Sequence, residues 1–343
     1  MTVKIGINGF GRIGRSLVRA IMAQQASDVE VVAINDPFGD ADSMAFLLKH
    51  DSVSRTLPNT IVGTDKGIEI DGNLIQKTAE REPANIPWGD LGVDIVIESS
   101  GVFTDRDAAA GHLKGGAKTV IISAPSGNAD ASFCYGINHK DYDPAQHKVI
   151  SNASCTTNCL APLVKVLNDE YGIETGFMLT IHAYTSDQQL QDQSVPSRSG
   201  KIDYRRMRAA ALSIIPSSTG AAKAIGSVIP EVDGKLDGMA MRVPTPTGSI
   251  TDLTVTLNKE VTKEEVNAAF KKASEDPSFE GVLEYTEEEL VSADIVHNPA
   301  SVIFSSPDTL AKGKNVKVLG WYDNEWGYSN RLVDLCQYIG KQL

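Results

Sequence analysis

Three features predict an α/β chain in two parts: buried-type strands that each end in small or turn-forming residues, a glycine-rich turn that opens a helix, and longer alternating strands in the second half. At 343 residues the chain is long enough for two domains with cores of their own. Apolar content of 41% and charged content of 22% describe an ordinary globular protein. A formal net charge of -12 argues against a nucleic-acid or anionic-membrane surface, which needs a basic face; local pockets for small anions stay open. The four cysteines, at 134, 155, 159 and 336, form neither a secreted disulfide framework nor a C-x-x-C pair, and no metal site is expected. The chain enters a strand pattern close to Met1 without a basic apolar leader, and it has no apolar run long enough to span a bilayer, so a reducing cytoplasm fits.

Val3 to Gly9 reads as a buried strand running into Gly9-Phe10-Gly11-Arg12-Ile13-Gly14, with a helix continuing over 15–22. In that context G-x-G-x-x-G carries meaning. The glycines permit a tight turn and close backbone approach to a pyrophosphate, at which the helix start aims its N–H groups. A second strand, 29–35, delivers Asp36 about twenty residues beyond the last glycine, where a carboxylate accepts both hydroxyls of an adenosine ribose and repels a 2′-phosphate. NAD is favoured over NADP. Short strand candidates follow at 60–63 and 67–70; parallel-type strands return at 93–98, 118–123 and 149–150, and an alanine-rich, helix-compatible stretch covers 104–114. A Rossmann-type sheet is the predicted first domain, with ligands across the carboxyl ends of its strands.

Ser151-Asn152-Ala153-Ser154-Cys155-Thr156-Thr157-Asn158-Cys159 places Cys155 where a strand hands over to a helix. A helix start favours a thiolate, and small hydroxyl neighbours leave the sulfur open to substrate. The plainer alternative, a small buried hydrophobe, suits Cys159 but gives no reason for Cys155 to emerge at a ligand-bearing edge. Beyond this helix, alternating strands at 176–185, 235–243 and 249–257 with helices at 264–274 and 332–343 predict an α+β domain whose sheet is mainly antiparallel, its helices on one face. His182, at the far end of its strand, is a candidate base for Cys155. Ser217-Ser218-Thr219-Gly220 opens an alanine-rich helix, which suits either a phosphate or an ordinary hydroxyl cap. Arg242 follows an apolar strand to a rim, and one of Arg205, Arg206 and Arg208 suits a bidentate clamp. The polar stretch 186–202 reads as a functional loop.

Three signatures, Ile7 to Arg15, Ser151 to Cys159 and Trp321-Tyr322-Asp323-Asn324-Glu325-Trp326-Gly327-Tyr328-Ser329, make the chain resemble, from end to end, the phosphorylating, glycolytic glyceraldehyde-3-phosphate dehydrogenases. The resemblance implies that Cys155 attacks the aldehyde of glyceraldehyde 3-phosphate, His182 takes the proton, and a thioester passes to inorganic phosphate as 1,3-bisphosphoglycerate. It implies further that Thr185, Arg206 and Arg242 hold the substrate's phosphate, and that Ser154, Thr156, Thr219 and Gly220 receive the attacking one. Gly9, Gly11, Arg12, Ile13, Gly14, Asp36, Arg81, Ser123, Asn324 and Tyr328 would line the NAD site, with Asn324 at the nicotinamide carboxamide. The family is homotetrameric, and its segment matching 186–202 lies against a neighbouring subunit's cofactor. Its last helix returns to the nucleotide domain, giving domains of 1–154 with 324–343, and 155–323. A relative acting on erythrose 4-phosphate shares the chemistry; a non-catalytic NAD-fold binding protein is the rival of another class, and the pairing of Cys155 with His182 speaks against it. Two stretches depart from the family's commoner patterns: the loop 191–200, which bears on NAD strictness, and 298–308.

Overall fold

In the computed structural model, which describes residues 2–194 and 202–343, the chain divides into two compact units. The first takes in the chain up to Phe133, then His139–Ala153 and Ser329–Leu343; the second takes in Cys134–Asn138 and Ser154–Tyr328.

Seven strands of the first unit are parallel, in the order Ala131–Ser132, Val149–Ser151, Thr119–Ile122, Ile95–Glu98, Val3–Asn8, Val29–Asn35 and Asn73–Thr78. Gly67–Ile70 and Ile61–Thr64 extend the edge as antiparallel strands. A parallel sheet is covered on both faces, which is why Ile95–Glu98, Thr119–Ile122 and Val149–Ser151 are buried throughout. From Val3–Asn8 the chain first builds Val29–Asn35 on one side and later returns to lay Ile95–Glu98 on the other. That reversal is the topological switch point, where ligands of such sheets gather.

The helix-compatible stretch 104–114 is helical, as two short helices, Arg106–Ala109 and Gly111–Lys114. One local expectation is corrected here, the start of the last helix. The last helix starts at Trp326 rather than Leu332, since the Asp323 carboxylate accepts from the N–H groups of Glu325 and Trp326 and nucleates it early.

The second unit holds a seven-stranded sheet in the order Ile215–Ser218, Leu236–Val243, Ile173–Ala183, Ser249–Leu257, Asn315–Tyr322, Val302–Lys312 and Leu283–Thr286. Four of its six pairings are antiparallel. Along Ile173–Ala183, Met178, Thr180 and His182 are buried, whereas Phe177 on the opposite face is 73% exposed. The parallel register pairs His182 with Arg242, so both project from the same face. Helix Cys155–Tyr171 packs on Ser249–Leu257, Val302–Lys312 and Asn315–Tyr322, and stacking of Phe270 on Phe304 at 3.9 Å seats the helix Lys263–Ser274. The stretch 298–308 enters the strand Val302–Lys312, where the pairing slips between Ser305 and Leu310 and Ser305 Oγ donates to Asp308. Its polar residues serve that bulge.

Candidate active site

Between the strand Val149–Ser151 and the helix Cys155–Tyr171 the chain passes through Ala153, whose φ of 54° is rare for a residue with a side chain and costs on the order of 1 kcal/mol. Ser154 then caps the helix, its hydroxyl accepting from Thr157 N–H at 3.0 Å, and Cys155 is the first helical residue. The sulfur of Cys155 lies 3.4 Å from His182 Nε2.

The tautomer of His182 follows from its other nitrogen. Nδ1 is 2.7 Å from the Ala183 carbonyl, which can only accept, so Nδ1 carries the hydrogen and Nε2 offers its lone pair to the thiol. Arg242 Nη1 lies 3.1 Å from the same Nδ1; its own hydrogen bonds go to Ala183 O at 3.1 Å and Thr185 Oγ1 at 2.9 Å, so it adds charge beside the ring. Burial, helped by Arg242, holds His182 down at about 3. Enclosure pushes the Cys155 thiol up, opposed by Arg242 and the hydroxyl and N–H of Thr156. At Cys155, burial and the surrounding cation and donors thus pull the thiol in opposite directions.

Holding His182 down has a consequence for stability. His139, packed edge-on against Tyr338, is likewise held down, at about 4, mainly by burial. In both histidines the unfolded chain binds a proton near pH 6.5 that the folded chain refuses, so their contribution is complete above that pH and is lost as pH falls toward 4 and then 3. Each should remove about 2–3 kcal/mol by pH 4. Thermal melts between pH 7 and 4 check this: the melting temperature falls with acidification, and H139N flattens the slope.

Tyr322 is a residue the sequence left without a role. Its buried hydroxyl joins Thr156 Oγ1 at 2.9 Å and Thr180 Oγ1 at 2.8 Å, and its ring meets His182 edge-on. Thr156 is 4% exposed, its hydroxyl shared between Tyr322 and the Cys155 sulfur.

Arg242, Thr185 and Arg206 come together around a second such residue, Asp187, whose carboxylate accepts from Thr185 Oγ1 and Arg206 Nη1. Arg205 points elsewhere, toward Pro216 O. The expected alanine-rich helix after Gly220 is only the turn Ala221–Ala224, continued as a 3-10 turn. Thr219 Oγ1 accepts from Ala221 N–H there, the ordinary cap, while Gly220 has open space around its α-carbon. Asn324 is buried with Oδ1 accepting from Ser249 Oγ at 2.8 Å, which fixes the amide's orientation; Tyr328, also buried, ends this unit. Part of the 186–202 loop, residues 195–201, lies outside the described residues.

In the first unit the glycine turn fits a dinucleotide. Gly9 has φ +92°, and a Cβ there would stand 2.5 Å from the backbone of Ser100; one at Gly14 would stand 2.5 Å from Gly9 O. A Cβ at Gly11 would meet nothing within 4 Å, so the start of helix Arg12–Gln24 is open to a ligand and has no side-chain cap of its own. Asp36 accepts from Phe10 N–H at 2.8 Å and Phe38 N–H at 2.9 Å, which uses two of the four acceptor positions of its carboxylate. Ile13 is half-buried beside the turn, Arg12 is drawn to Asp51 at 2.5 Å, Arg81 stacks over Phe38, and Ser123 Oγ donates to Glu98 O. Among the described residues no group of three or more His, Cys, Asp or Glu is arranged to hold a metal ion, and no helix is long and apolar enough to cross a membrane.

A doubly wound dinucleotide fold in one unit, with a thiol beside an imidazole in the other, is the equipment of the NAD-dependent dehydrogenases. Family comparison agrees and narrows it. Residues 3–106 match the model described as "Glyceraldehyde 3-phosphate dehydrogenase, NAD binding domain" and residues 154–324 the one described as "Glyceraldehyde 3-phosphate dehydrogenase, C-terminal domain". Among similar proteins, the glyceraldehyde-3-phosphate dehydrogenase of Streptomyces coelicolor is 56% identical, and that of Mycobacterium tuberculosis 55%, each alignment covering 100% of both chains. The chain belongs to the glyceraldehyde-3-phosphate dehydrogenase family.

Proposed function

We propose that the chain oxidises and phosphorylates glyceraldehyde 3-phosphate to 1,3-bisphosphoglycerate, using NAD and inorganic phosphate. The observation that carries this is the 3.4 Å approach of Cys155 Sγ to a His182 whose Nδ1–H is held by Ala183 O. The sulfur attacks the aldehyde carbon as its proton moves to His182 Nε2 and the carbonyl's electron pair moves to oxygen, giving the anion of a thiohemiacetal. NAD, when bound, accepts the hydride that leaves this carbon. What remains on Cys155 is a thioester; an oxygen of inorganic phosphate adds to its carbonyl, the C–S bond breaks, and the sulfur is reprotonated from His182. Ser154, Thr156, Thr219 and Gly220 receive the attacking phosphate, and Thr185, Arg206 and Arg242 hold the one already on the substrate. Gly9, Gly11, Arg12, Ile13, Gly14, Asp36, Arg81, Ser123, Asn324 and Tyr328 hold NAD.

Initial rates of NADH formation test the proposal. They should require both glyceraldehyde 3-phosphate and inorganic phosphate; a rate that persists without phosphate contradicts it. Substituting Asp36→Ser should lower kcat/KM for NAD about 10- to 100-fold and raise it for NADP, because a charged hydrogen-bond acceptor for the ribose hydroxyls is lost along with its repulsion of a 2′-phosphate. Steady-state kinetics with each cofactor check this. Arg206→Met should raise KM for glyceraldehyde 3-phosphate about 100-fold, since it removes a cation and leaves the carboxylate of Asp187 facing the phosphate. Unphosphorylated glyceraldehyde, run in parallel, should lose far less.

We assign the open sheet face of the second unit to contact between copies in a homotetramer. Phe177, Leu179, Met239 and Met241 line a groove of about 530 Å³ there, an apolar patch of the kind that marks an interface. A cytoplasmic location is supported by four free cysteines.

A further inference from the structure

A buried carboxylate that plays no part in the chemistry above sits at the switch point of the first unit's sheet. Glu98 ends the strand Ile95–Glu98 and is the register partner of Asn8, the last residue of Val3–Asn8. It is 2% exposed and accepts four hydrogen bonds. Oε1 takes Ser100 N–H at 2.8 Å and Ser100 Oγ at 2.5 Å; Oε2 takes Asn8 Nδ2 at 2.5 Å and His112 Nε2 at 2.9 Å. The donor role of His112 is fixed from behind. Trp88 Nε1 can only donate, and it donates to His112 Nδ1 at 3.0 Å, so the hydrogen of this imidazole is on Nε2. All four acceptor positions of the carboxylate are filled.

Three of those bonds come from residues that shape the glycine turn. Asn8 precedes Gly9, and its Oδ1 accepts from Asn35 Nδ2; Asn35 precedes Asp36 and also accepts from Thr78 Oγ1 and Glu80 N–H. Ser100 is the backbone against which Gly9 packs, and the neighbouring Ser99 Oγ donates to Gly9 O at 2.7 Å. The carboxylate therefore ties the end of Val3–Asn8 to the segment after Ile95–Glu98, and through Asn8 to Asn35 at the end of Val29–Asn35.

We infer that Glu98 is a positioning residue for the dinucleotide: it holds Asn8 and Ser100 so that the Gly9 turn is preformed before NAD arrives. The inference rests on the family's NAD site lying at this turn. Its function is specific to an acceptor-only side chain. In E98Q the amide NH2 must face one pair of donors. Turning it toward Ser100 sets it against a backbone N–H, and turning it toward Asn8 and His112 sets it against a hydrogen that His112 cannot move without giving up Trp88.

The test is the affinity and stoichiometry of NAD, read by quenching of intrinsic fluorescence on the full-length wild type, E98Q and S100A. Partial misfolding lowers the number of sites and leaves the Kd of the remaining sites unchanged, so the two readouts separate positioning from general stability. We expect E98Q to bind NAD at least tenfold more weakly per site, with kcat at saturating NAD within about threefold of wild type, and S100A to weaken binding a few-fold. An unchanged Kd in E98Q, whatever its melting temperature, overturns the inference. Should E98Q yield no folded protein, S100A decides, an unchanged Kd again overturning it. A wild-type chain that binds no NAD contradicts the proposed function instead, a result distinct from either.

Discussion

Cys155→Ala should lower the rate of aldehyde oxidation by at least about 10⁴-fold, since a covalent route loses its only nucleophile and no other thiol replaces it. Cys159, one helical turn on, is buried with its sulfur against Gly320 O, and burial pushes its thiol far up. The loss should be confined to chemistry. The methyl group of alanine occupies no more than the space of the cysteine side chain, and the NAD turn belongs to the other unit, so NAD affinity and melting temperature should stay near wild type. Stopped-flow NADH formation beside an NAD titration checks both; activity within tenfold of wild type would contradict the assignment.

His182→Asn should lower kcat about 10²- to 10⁴-fold, the range a positioned general base supplies. The more specific result concerns the thiol. Burial opposes ionisation of Cys155 and His182 Nε2 lies 3.4 Å from its sulfur, so reactivity near neutral pH should depend on proton transfer to that nitrogen. Alkylation of Cys155 should therefore slow sharply in H182N at pH 7. The gap should close as pH rises, because hydroxide then does what the imidazole did. A pH-independent deficit would mean that His182 serves geometry alone.

How much of this the sequence revealed depended on the range of the contacts involved. The glycine turn and Asp36 were legible because strand, turn, helix and acid lie within one βαβ unit, where spacing is geometry. The mainly antiparallel second sheet was legible from alternation, and the paired positions of His182 and Arg242 follow from the register of two strands that the pattern had located. Tyr322 was not, since its partners Thr156 and Thr180 lie 166 and 142 residues away and no local pattern announces a hydroxyl chain. Asp187 escaped because an acid among basic residues reads as a surface charge until folding sets it between Thr185 and Arg206. The surroundings of Cys155 were legible only in part: the helix start is visible in sequence, whereas the desolvation that opposes ionisation is a property of the packed site.

The central claim, a thioester on Cys155 that only phosphate releases efficiently, is tested most directly by mixing the NAD-loaded protein with glyceraldehyde 3-phosphate in phosphate-free buffer. NADH should appear as a rapid burst of about one equivalent per chain and then nearly stop. Mass spectrometry of the quenched protein should find the acyl group on the Cys155 peptide, and added phosphate should restore turnover and remove the label. Sustained turnover without phosphate, or an unmodified Cys155 at the height of the burst, would contradict the account.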